Sequence, residues 1–313
     1  MGFFSGYYPV KDKLVVISGG SQGLGASLAK LVVKQGGSVV IVARTVKKLQ
    51  QTVEECEKHR ISDTQTISYV SADLSKAADC ARVFTEIDKT PDIVMCCAGI
   101  ARPGLLLETS AEVLESSIDS IYKSALYFSQ AGFKAFAAAP IDKNAAPRHI
   151  TFFSSVVAFY GFIGYGSYAP LKSAVRVLAD ILRQECIPYN INVECVFPGN
   201  IATEGFEIEE QTKPEITKII EGPSDIMQPD DCAELVIKRL DAGQQMVHTD
   251  LIGWVLNGIV LGASPRTNPI LLTILSLLLT IFIPIWNLFV NRDIRNYYKK
   301  SKNLRRKKNS HNK

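Results

Sequence analysis

Nearly continuous apolar runs, rich in Val and Ile and bounded by turn residues, alternate with helical patterns from Lys11 to about residue 250. Strands that are apolar on both faces are typical of a parallel sheet with helices packed on both sides. Because strands and helices alternate, the pattern indicates βαβ units and predicts an α/β fold with a doubly wound parallel sheet. The predicted strands are Leu14–Ser18, Ser38–Val42, Thr66–Ser71, Ile93–Cys96, His149–Ser154 and Asn192–Phe197, and the clearest helical patterns are Ala26–Gln35 and Val46–Lys58.

The composition indicates a folded chain in a reducing compartment. Hydrophobic residues make up 47% of the 313 residues and charged residues 21%, which excludes global disorder. We predict a single domain over residues 1–265, although the length alone also fits two domains of about 150 residues each. The cysteines are odd in number and form no C-x-x-C pair, which argues against a disulfide framework and against a structural zinc site. They are Cys56, Cys80, Cys96, Cys97, Cys186, Cys195 and Cys232.

Positive charge is concentrated in a basic tail, residues 291–313. The tail holds ten Lys or Arg and one Asp, a net charge of +9, which leaves −5 on the rest of a chain whose total is +4. Proteins that bind nucleic acid usually carry their positive charge on the folded domain. The only aromatic residues in the tail are Tyr297 and Tyr298. We therefore expect the tail to face a membrane surface, and we expect no nucleic-acid partner.

An uncharged apolar run precedes the tail at residues 269–290. As a helix, these 22 residues would be about 33 Å long, which matches a hydrocarbon core of about 30 Å. We predict a membrane segment, and the alternative is a buried core helix. Pro284 and Asn287 leave room for a kinked or re-entrant path. The shorter apolar segment Leu251–Ala263 is a core element, an interfacial helix or the wall of a lipid-binding groove.

A glycine-rich turn joins the first predicted strand to the first helix. It reads Ser18-Gly19-Gly20-Ser21-Gln22-Gly23-Leu24-Gly25. Glycines allow a tight turn and a close approach of backbone N–H groups to a pyrophosphate, and the start of the following helix favours negative charge. In this strand–turn–helix context, nucleotide binding is favoured over a plain turn. The predicted contacts are Gly19, Ser21, Gln22, Gly23, Leu24 and Gly25.

A second motif, S-x₁₂-Y-x₃-K, consists of Ser155, Tyr168 and Lys172. Tyr168 and Lys172 are one helical turn apart and share a face. Reduction of a ketone needs a proton donor beside the carbonyl oxygen, and a free tyrosine has a pKa of about 10. We expect the Lys172 ammonium to lower the pKa of Tyr168, and Ser155 to hydrogen-bond the carbonyl. Tyr165 has Ala169 in place of the lysine and is not a candidate.

The G-x-x-x-G-x-G turn and the Ser–Tyr–Lys set together resemble the short-chain dehydrogenase/reductase family over about residues 11–205. The resemblance implies a Rossmann-like fold and a nicotinamide cofactor. It also implies an adenine contact at Asp73 and Leu74, although Asp73 fits equally well as the cap of a helix that begins near Ser75. Further cofactor contacts implied by the family are Ala98, Gly99, Tyr168, Lys172, Pro198, Gly199, Ile201 and Thr203.

Arg44 follows the second strand, where a site that prefers NAD usually has an acid for the ribose 2′-hydroxyl. A guanidinium instead suits a 2′-phosphate, which it binds through charge-assisted hydrogen bonds. Lys48, one helical turn further on, and Ser21 are placed to assist. We therefore predict NADPH as the cofactor. The alternative is that Arg44 and Lys48 are solvated surface charges.

Two positions depart from the family pattern. The family's N-N-A-G reads Cys96-Cys97-Ala98-Gly99 here, and we favour packing of two small apolar side chains over redox chemistry. The family's catalytic-helix asparagine, which supports a proton-relay water, falls on Ile121. The loss of this asparagine puts the relay in doubt but leaves the chemistry of the Ser–Tyr–Lys set intact.

Several segments resemble, within this family, the 3-ketodihydrosphingosine reductases of fungi. The resemblance implies NADPH-dependent reduction of 3-ketodihydrosphingosine, a long-chain keto amine, to dihydrosphingosine in sphingolipid biosynthesis. The alternatives are a membrane-bound reductase for steroids, retinoids or 3-ketoacyl thioesters, and a nucleotide-binding membrane scaffold without turnover. The segments are Cys96-Cys97-Ala98-Gly99, Gly164–Pro170, Thr212–Asp225 and Thr249–Trp254.

Residues 203–227 are predicted to form a lid over the acyl chain. Their acids either attract the ammonium of the substrate or form a solvated acidic face; they are Glu204, Glu207, Glu209 and Glu210. The resemblance further implies a homo-oligomer on the endoplasmic reticulum membrane with its active site facing the cytosol. The positive-inside rule places the basic tail in the cytosol too. We therefore predict that residues 269–290 are re-entrant, or form a hairpin with Leu251–Ala263, in preference to a single crossing.

Overall fold

The centre of the fold is a seven-stranded sheet in the order β3-β2-β1-β4-β5-β6-β9, in which every pairing is parallel. The computed structural model describes residues 8–140, 146–223, 225–260, 264–265 and 268–311, with side chains as far as residue 300. The predicted doubly wound parallel sheet is confirmed. The strands are β1 (Leu14–Ser18), β2 (Ser38–Ala43), β3 (Ile67–Ser71), β4 (Ile93–Cys96), β5 (Arg148–Phe153), β6 (Ile191–Phe197) and β9 (Met246–His248), and β7 (Asn200–Ile201) pairs separately with β8 (Ile226–Met227).

Helices cover both faces of the sheet, as the two-sided apolar strands require. On one face the core is formed with α1 (Gly23–Lys34), α2 (Val46–Glu57) and α9 (Pro229–Asp241). On the other face it is formed with α3 (Ala77–Glu86), α5 (Ser124–Ala138) and α6 (Ala169–Glu185). The remaining helices are α4 (Ala111–Ser117), α7 (Glu204–Thr212), α8 (Glu215–Glu221), α10 (Leu251–Asn257) and α11 (Pro269–His311), and a π-helical turn over Ile118–Lys123 joins α4 to α5.

The order of the strands places the functional motifs. The strand order reverses between β1 and β4, and ligands of doubly wound sheets bind in the crevice at the carboxyl ends of such strands. The glycine-rich turn follows β1, and Ser155 follows β5. Both motifs therefore open onto the same edge of the sheet.

Helix α11 continues without a break through Pro284, so the predicted re-entrant path for residues 269–290 is wrong. The hairpin alternative is not formed either, because α10 has seven residues and is about 10 Å long, too short to cross a bilayer. Residues 261–263 of that segment lie outside the described residues. Among the described helices, α11 alone is long and apolar enough to span a membrane; within Pro269–Lys300 its apolar 18-residue window has a mean hydropathy of 2.3.

One side of α11 packs against the domain. Leu272, Ser276 and Leu279 are buried, and the Ser276 hydroxyl donates a hydrogen bond to the carbonyl oxygen of Gly258 at 2.5 Å. Further along the helix, the Tyr160 hydroxyl donates to Asn287 Oδ1 at 2.6 Å. The opposite side of the helix is apolar and exposed, with Ile270, Ile274, Leu277, Leu278, Ile281, Ile285 and Leu288 on the surface.

Candidate active site

A single cavity of about 1210 Å³ lies at the carboxyl edge of the sheet. It is larger than the roughly 300–1,000 Å³ of a usual small-molecule site, so it has room for a dinucleotide and a substrate together. Every residue predicted for the site lines this cavity except Lys48. The predicted residues that line it are Gly19, Ser21, Gln22, Gly23, Leu24, Gly25, Arg44, Asp73, Leu74, Ala98, Gly99, Ser155, Tyr168, Lys172, Pro198, Gly199, Ile201 and Thr203.

The glycine-rich turn forms a backbone cradle at the start of α1. Gly19 has φ +70°, and a Cβ atom there would lie 2.8 Å from the Cα atom of Ala98. A Cβ atom on Gly25 would collide with the carbonyl oxygen of Gly19. Since α1 begins at Gly23, its free N–H groups are presented at the edge of the cavity. The turn therefore fits the pyrophosphate of a dinucleotide.

Arg44 is exposed at the end of β2 and lines the cavity. Lys48 does not, because its Nζ donates to Gln22 Oε1 at 2.7 Å and pairs with Glu204 Oε2 at 2.7 Å. Lys48 ties the first turn of α7 to the glycine-rich turn, and its role beside a 2′-phosphate stays a prediction. Of the residues predicted to select NADPH, the cavity brings together Arg44 and Ser21.

Asp73 lines the cavity and also organises the local backbone. Its Oδ1 accepts hydrogen bonds from the Ser75 N–H at 3.1 Å and from the Ser75 hydroxyl at 2.8 Å. Helix α3 begins only at Ala77, so Asp73 stabilises the turn before that helix. The predicted ligand contact fits this position, whereas the predicted helix cap is not formed, because the N-cap residue of α3 is Lys76.

The Ser–Tyr–Lys set is assembled by β5 and α6. Ser155 follows β5, Tyr168 precedes the first residue of α6, and Lys172 lies in the first turn of that helix. Ser155 hydrogen-bonds the Tyr168 phenol. The buried Lys172 Nζ donates to the carbonyl oxygen of Phe153 at 2.8 Å and lies 5.6 Å from the centre of the Tyr168 ring. The three side chains therefore face one end of the cavity together.

The electrostatics of the set differ from the prediction. Burial raises the pKa of Tyr168 above its ordinary value of 10, the Glu209 charge raises it further, and the Ser155 hydrogen bond opposes both. The pKa of Tyr168 is therefore raised on balance, and the lowering by Lys172 that the sequence predicted does not outweigh burial and the Glu209 charge. Burial lowers the pKa of Lys172 from 10.5 to about 8. A tyrosine that stays protonated is the form that donates a proton, which suits the direction of reduction.

Two residues that were not predicted from the sequence, Thr249 and Asp250, contact the Pro198–Gly199 loop. The Thr249 hydroxyl oxygen accepts a hydrogen bond from the Gly199 N–H at 3.0 Å. A Cβ atom on Gly199 would collide with the carboxylate of Asp250, which also lines the cavity and caps α10. Both residues follow β9, a strand too short to show a periodic pattern.

The acids of the predicted lid separate into distinct environments. Glu209 lines the cavity, accepts a hydrogen bond from the Tyr165 hydroxyl at 2.6 Å and faces the buried Lys213 at 3.6 Å. Glu221, which the sequence analysis missed, also lines the cavity and pairs with Lys213 at 2.7 Å. Of the other predicted acids, Glu204 pairs with Lys48, Glu210 pairs with Lys213 outside the cavity lining, and Glu207 is exposed. Ser224, within the predicted lid, lies outside the described residues.

The family model for short chain dehydrogenases matches residues 13–214. The chain belongs to the short-chain dehydrogenase family. It is also 48% identical over 294 residues to a 3-ketodihydrosphingosine reductase of Yarrowia lipolytica, covering 92% of this chain and 78% of the relative. A 3-ketodihydrosphingosine reductase of Debaryomyces hansenii is 41% identical over 296 residues, covering 92% and 90%. The resemblances stated from the sequence, to the family and to fungal members of it, are confirmed.

Solved structures of short-chain dehydrogenases share the fold. The enzyme from Sphingobium yanoikuyae, in complex with NADPH, superposes with a TM-score of 0.64 at 23% identity, covering 76% of this chain and 88% of that one. The enzyme from Burkholderia cenocepacia, in complex with NADP, gives a TM-score of 0.63 at 19% identity, covering 80% and 94%. At these identities the likeness establishes the architecture.

The two departures from the short-chain dehydrogenase pattern have different consequences. Burial raises the pKa of the Cys97 thiol to about 12, which keeps it protonated and fits the packing interpretation. Ile121 is buried beside Lys172: a Cβ atom on Gly99 would lie 3.4 Å from Lys172 Nζ and 3.8 Å from Ile121 Cγ1. An apolar side chain therefore occupies the place of the relay asparagine, and the Phe153 carbonyl accepts a hydrogen bond from Lys172 directly.

Proposed function

We propose that this short-chain dehydrogenase reduces the ketone of 3-ketodihydrosphingosine to dihydrosphingosine, with NADPH as cofactor, in sphingolipid biosynthesis. The observation that carries the proposal is the 48% identity, along 92% of the chain, to a relative that bears the name of this reductase. The assembly of Ser155, Tyr168 and Lys172 in one cavity supports it, because this set is the machinery that the reaction needs.

The proposed mechanism divides the work among three side chains. NADPH, when bound at the glycine-rich turn, would supply the hydride for the carbonyl carbon. Ser155 donates a hydrogen bond to the carbonyl oxygen and stabilises the negative charge that develops there. Tyr168 donates its phenolic proton to that oxygen, which completes the alcohol and leaves a phenolate. The Lys172 ammonium, 5.6 Å from the ring centre, stabilises the phenolate until a proton from solvent restores the phenol.

The cofactor preference rests on charge at the end of β2. Arg44 lines the cavity where an enzyme that prefers NAD usually has an acid, and its guanidinium matches a 2′-phosphate. The glycine cradle of Gly19 and Gly25 fits the pyrophosphate. These two features together support NADPH.

The head group of the proposed substrate carries an ammonium beside the ketone. The cluster next to Tyr168 contains three carboxylates, Glu209, Glu210 and Glu221, around the single ammonium of Lys213. Of these carboxylates, Glu209 and Glu221 line the cavity. The excess of negative charge at this end of the cavity favours a cationic substrate, and a long-chain keto amine is one.

The proposal is tested by NADPH oxidation with detergent-solubilised protein and a panel of ketones: 3-ketodihydrosphingosine, a steroid, a retinoid and a 3-ketoacyl thioester. We expect turnover of 3-ketodihydrosphingosine that needs NADPH and is far slower with NADH. Preferred turnover of another ketone would replace the substrate, and NADPH binding without turnover of any ketone would favour a non-catalytic scaffold.

We propose that the protein lies on the endoplasmic reticulum membrane, with the catalytic domain and the basic tail both on the cytosolic side. The contacts from Leu272 to Asn287 hold α11 against the domain over about 22 Å, which supports a helix that lies along the membrane over one that crosses it. A helix that lies in the interface, with its exposed apolar side in the lipid, fits these contacts. It also removes the conflict with the positive-inside rule.

Protease treatment of sealed microsomes tests this orientation. An epitope at Lys313 should be digested together with the catalytic domain. Protection of the epitope while the domain is digested would overturn the in-plane arrangement and establish a crossing.

We also propose that the protein is a homo-oligomer. Val177 and Ile181, one turn apart on α6, are 44% and 48% exposed, and an apolar pair on a helix surface supports self-association. The mass in detergent solution of the wild type and of the Ile181→Asp variant tests this. A monomeric mass for the wild type would refute it.

A further inference from the structure

Helix α11 contributes to the catalytic cavity itself. The cavity that Tyr168 and Lys172 line is also lined by apolar side chains of α10 and α11. From α10 these are Leu251, Ile252, Val255 and Leu256, and from α11 they are Leu279, Phe282, Ile283 and Trp286. One continuous space therefore runs from the reacting groups to the helix that we place on the membrane.

The part of α11 that faces the cavity is held in a fixed position. Before it, Ser276 is hydrogen-bonded to the Gly258 carbonyl, and a Cβ atom on Gly258 would lie 3.1 Å from Leu279 Cδ1. After it, Asn287 accepts the hydrogen bond from Tyr160, whose side chain also lines the cavity. Asn287, a polar residue within the apolar run, therefore has a hydrogen-bond partner. The two sets of contacts anchor the helix before and after the part that lines the cavity.

Two aromatic side chains of α11 form the outer part of this lining. The rings of Phe282 and Trp286 are stacked, with centroids 6.2 Å apart and an interplanar angle of 19°. Their side chains remain 54% and 43% exposed, so they border both the cavity and the surface. An aliphatic chain that leaves the cavity at this end would pass along them.

We propose that α11 is a wall of the substrate site, and that Phe282 and Trp286 contact the alkyl chain of the keto lipid and determine chain-length preference. The inference rests on the proposed function. The head of the substrate lies at Tyr168, and the chain runs between α10 and α11 toward the lipid-facing side of α11. Each methylene buried along this wall contributes about fourfold to binding.

The experiment compares Phe282→Ala and Trp286→Ala with Phe289→Ala. Phe289 lies two turns further along the same helix, is 48% exposed and does not line the cavity, so it is a matched control for Phe282. Each protein is assayed in mixed micelles with 3-ketodihydrosphingosine and with a homologue of about eight carbons. Binding to vesicles of neutral and anionic phospholipid is measured in parallel.

We expect Phe282→Ala and Trp286→Ala to lower kcat/KM for the long-chain ketone about tenfold and for the short homologue less than about twofold. Phe289→Ala should leave both values within about twofold of the wild type. Equal losses of kcat/KM on both substrates would overturn the proposal that α11 is a wall of the substrate site. A loss in Phe289→Ala as large as in Phe282→Ala would also overturn it, and would indicate that the helix acts through membrane binding or self-association. A wild-type protein that reduces neither keto amine would instead overturn the proposed function, and the wall with it.

Discussion

Replacement of Glu209 by Gln should separate recognition of the substrate's ammonium from catalysis of the ketone. Glu209 lines the cavity, its side chain is 14% exposed, and its charge raises the pKa of Tyr168. The glutamine amide would keep an acceptor for the Tyr165 hydroxyl, and Lys213 would keep Glu210 and Glu221 as partners. The change therefore removes one negative charge from the cavity while the local packing is retained.

The size of the effect follows from the strength of a charged hydrogen bond. Such a bond contributes about 1.5–3 kcal/mol, which corresponds to roughly 10- to 150-fold in kcat/KM. We expect a loss in this range for 3-ketodihydrosphingosine. For the ketone of the same chain length that lacks the amino group, we expect a change of less than about threefold.

Glu210→Gln is the matched control for this experiment. Glu210 pairs with the same Lys213 but does not line the cavity, so its neutralisation should leave kcat/KM for both ketones within about twofold. The assay is initial-rate NADPH oxidation with each ketone at one fixed mole fraction in micelles. Equal losses on the amino ketone and the neutral ketone in Glu209→Gln would refute the reasoning, because the carboxylate would then act without the ammonium.

Two further predictions concern the cofactor and the catalytic lysine. Arg44→Asp should weaken NADPH binding about tenfold or more and leave NADH binding within a few-fold, measured by titration of nicotinamide fluorescence; equal weakening of both would contradict a role at the 2′-phosphate. Burial lowers the pKa of Lys172 to about 8, and the ammonium is present below that value, so kcat/KM for the ketone should fall as the pH rises through about 8. A rate that stays constant up to about pH 10, the ordinary range of a lysine, would contradict a required ammonium whose pKa is lowered to about 8.

The fold was predictable because its signals are local. The strands β1 and β4 have the predicted bounds, β2, β3 and β6 differ from them by one residue at one end, and β5 is shifted by one residue at both ends. Fully buried parallel strands are continuous apolar runs, and such runs are visible without knowledge of their neighbours. Strand β9 was missed because its three residues, Met246–His248, are too few for a pattern, and their place is set by pairing with β6.

The parts of the site that were missed depend on contacts between distant segments. Lys48 is turned away from the cavity by Glu204, which lies 156 residues further along the chain. The raised pKa of Tyr168 results from burial and from Glu209 on another helix. The contribution of α11 to the cavity could not be predicted, because the sequence of this segment shows only that it is apolar. Spacing predicts the residues to which we assign the chemistry, and tertiary packing determines their charge state and their neighbours.

The central claim, that Tyr168 donates the proton in the reduction of 3-ketodihydrosphingosine, is tested most directly by turnover of Tyr168→Phe beside Tyr127→Phe. Tyr127 lies on α5 and does not line the cavity. We predict that Tyr168→Phe binds NADPH as the wild type does but turns over at least about 100-fold more slowly, while Tyr127→Phe stays within about twofold. A Tyr168→Phe protein that keeps wild-type turnover of this ketone would contradict the account.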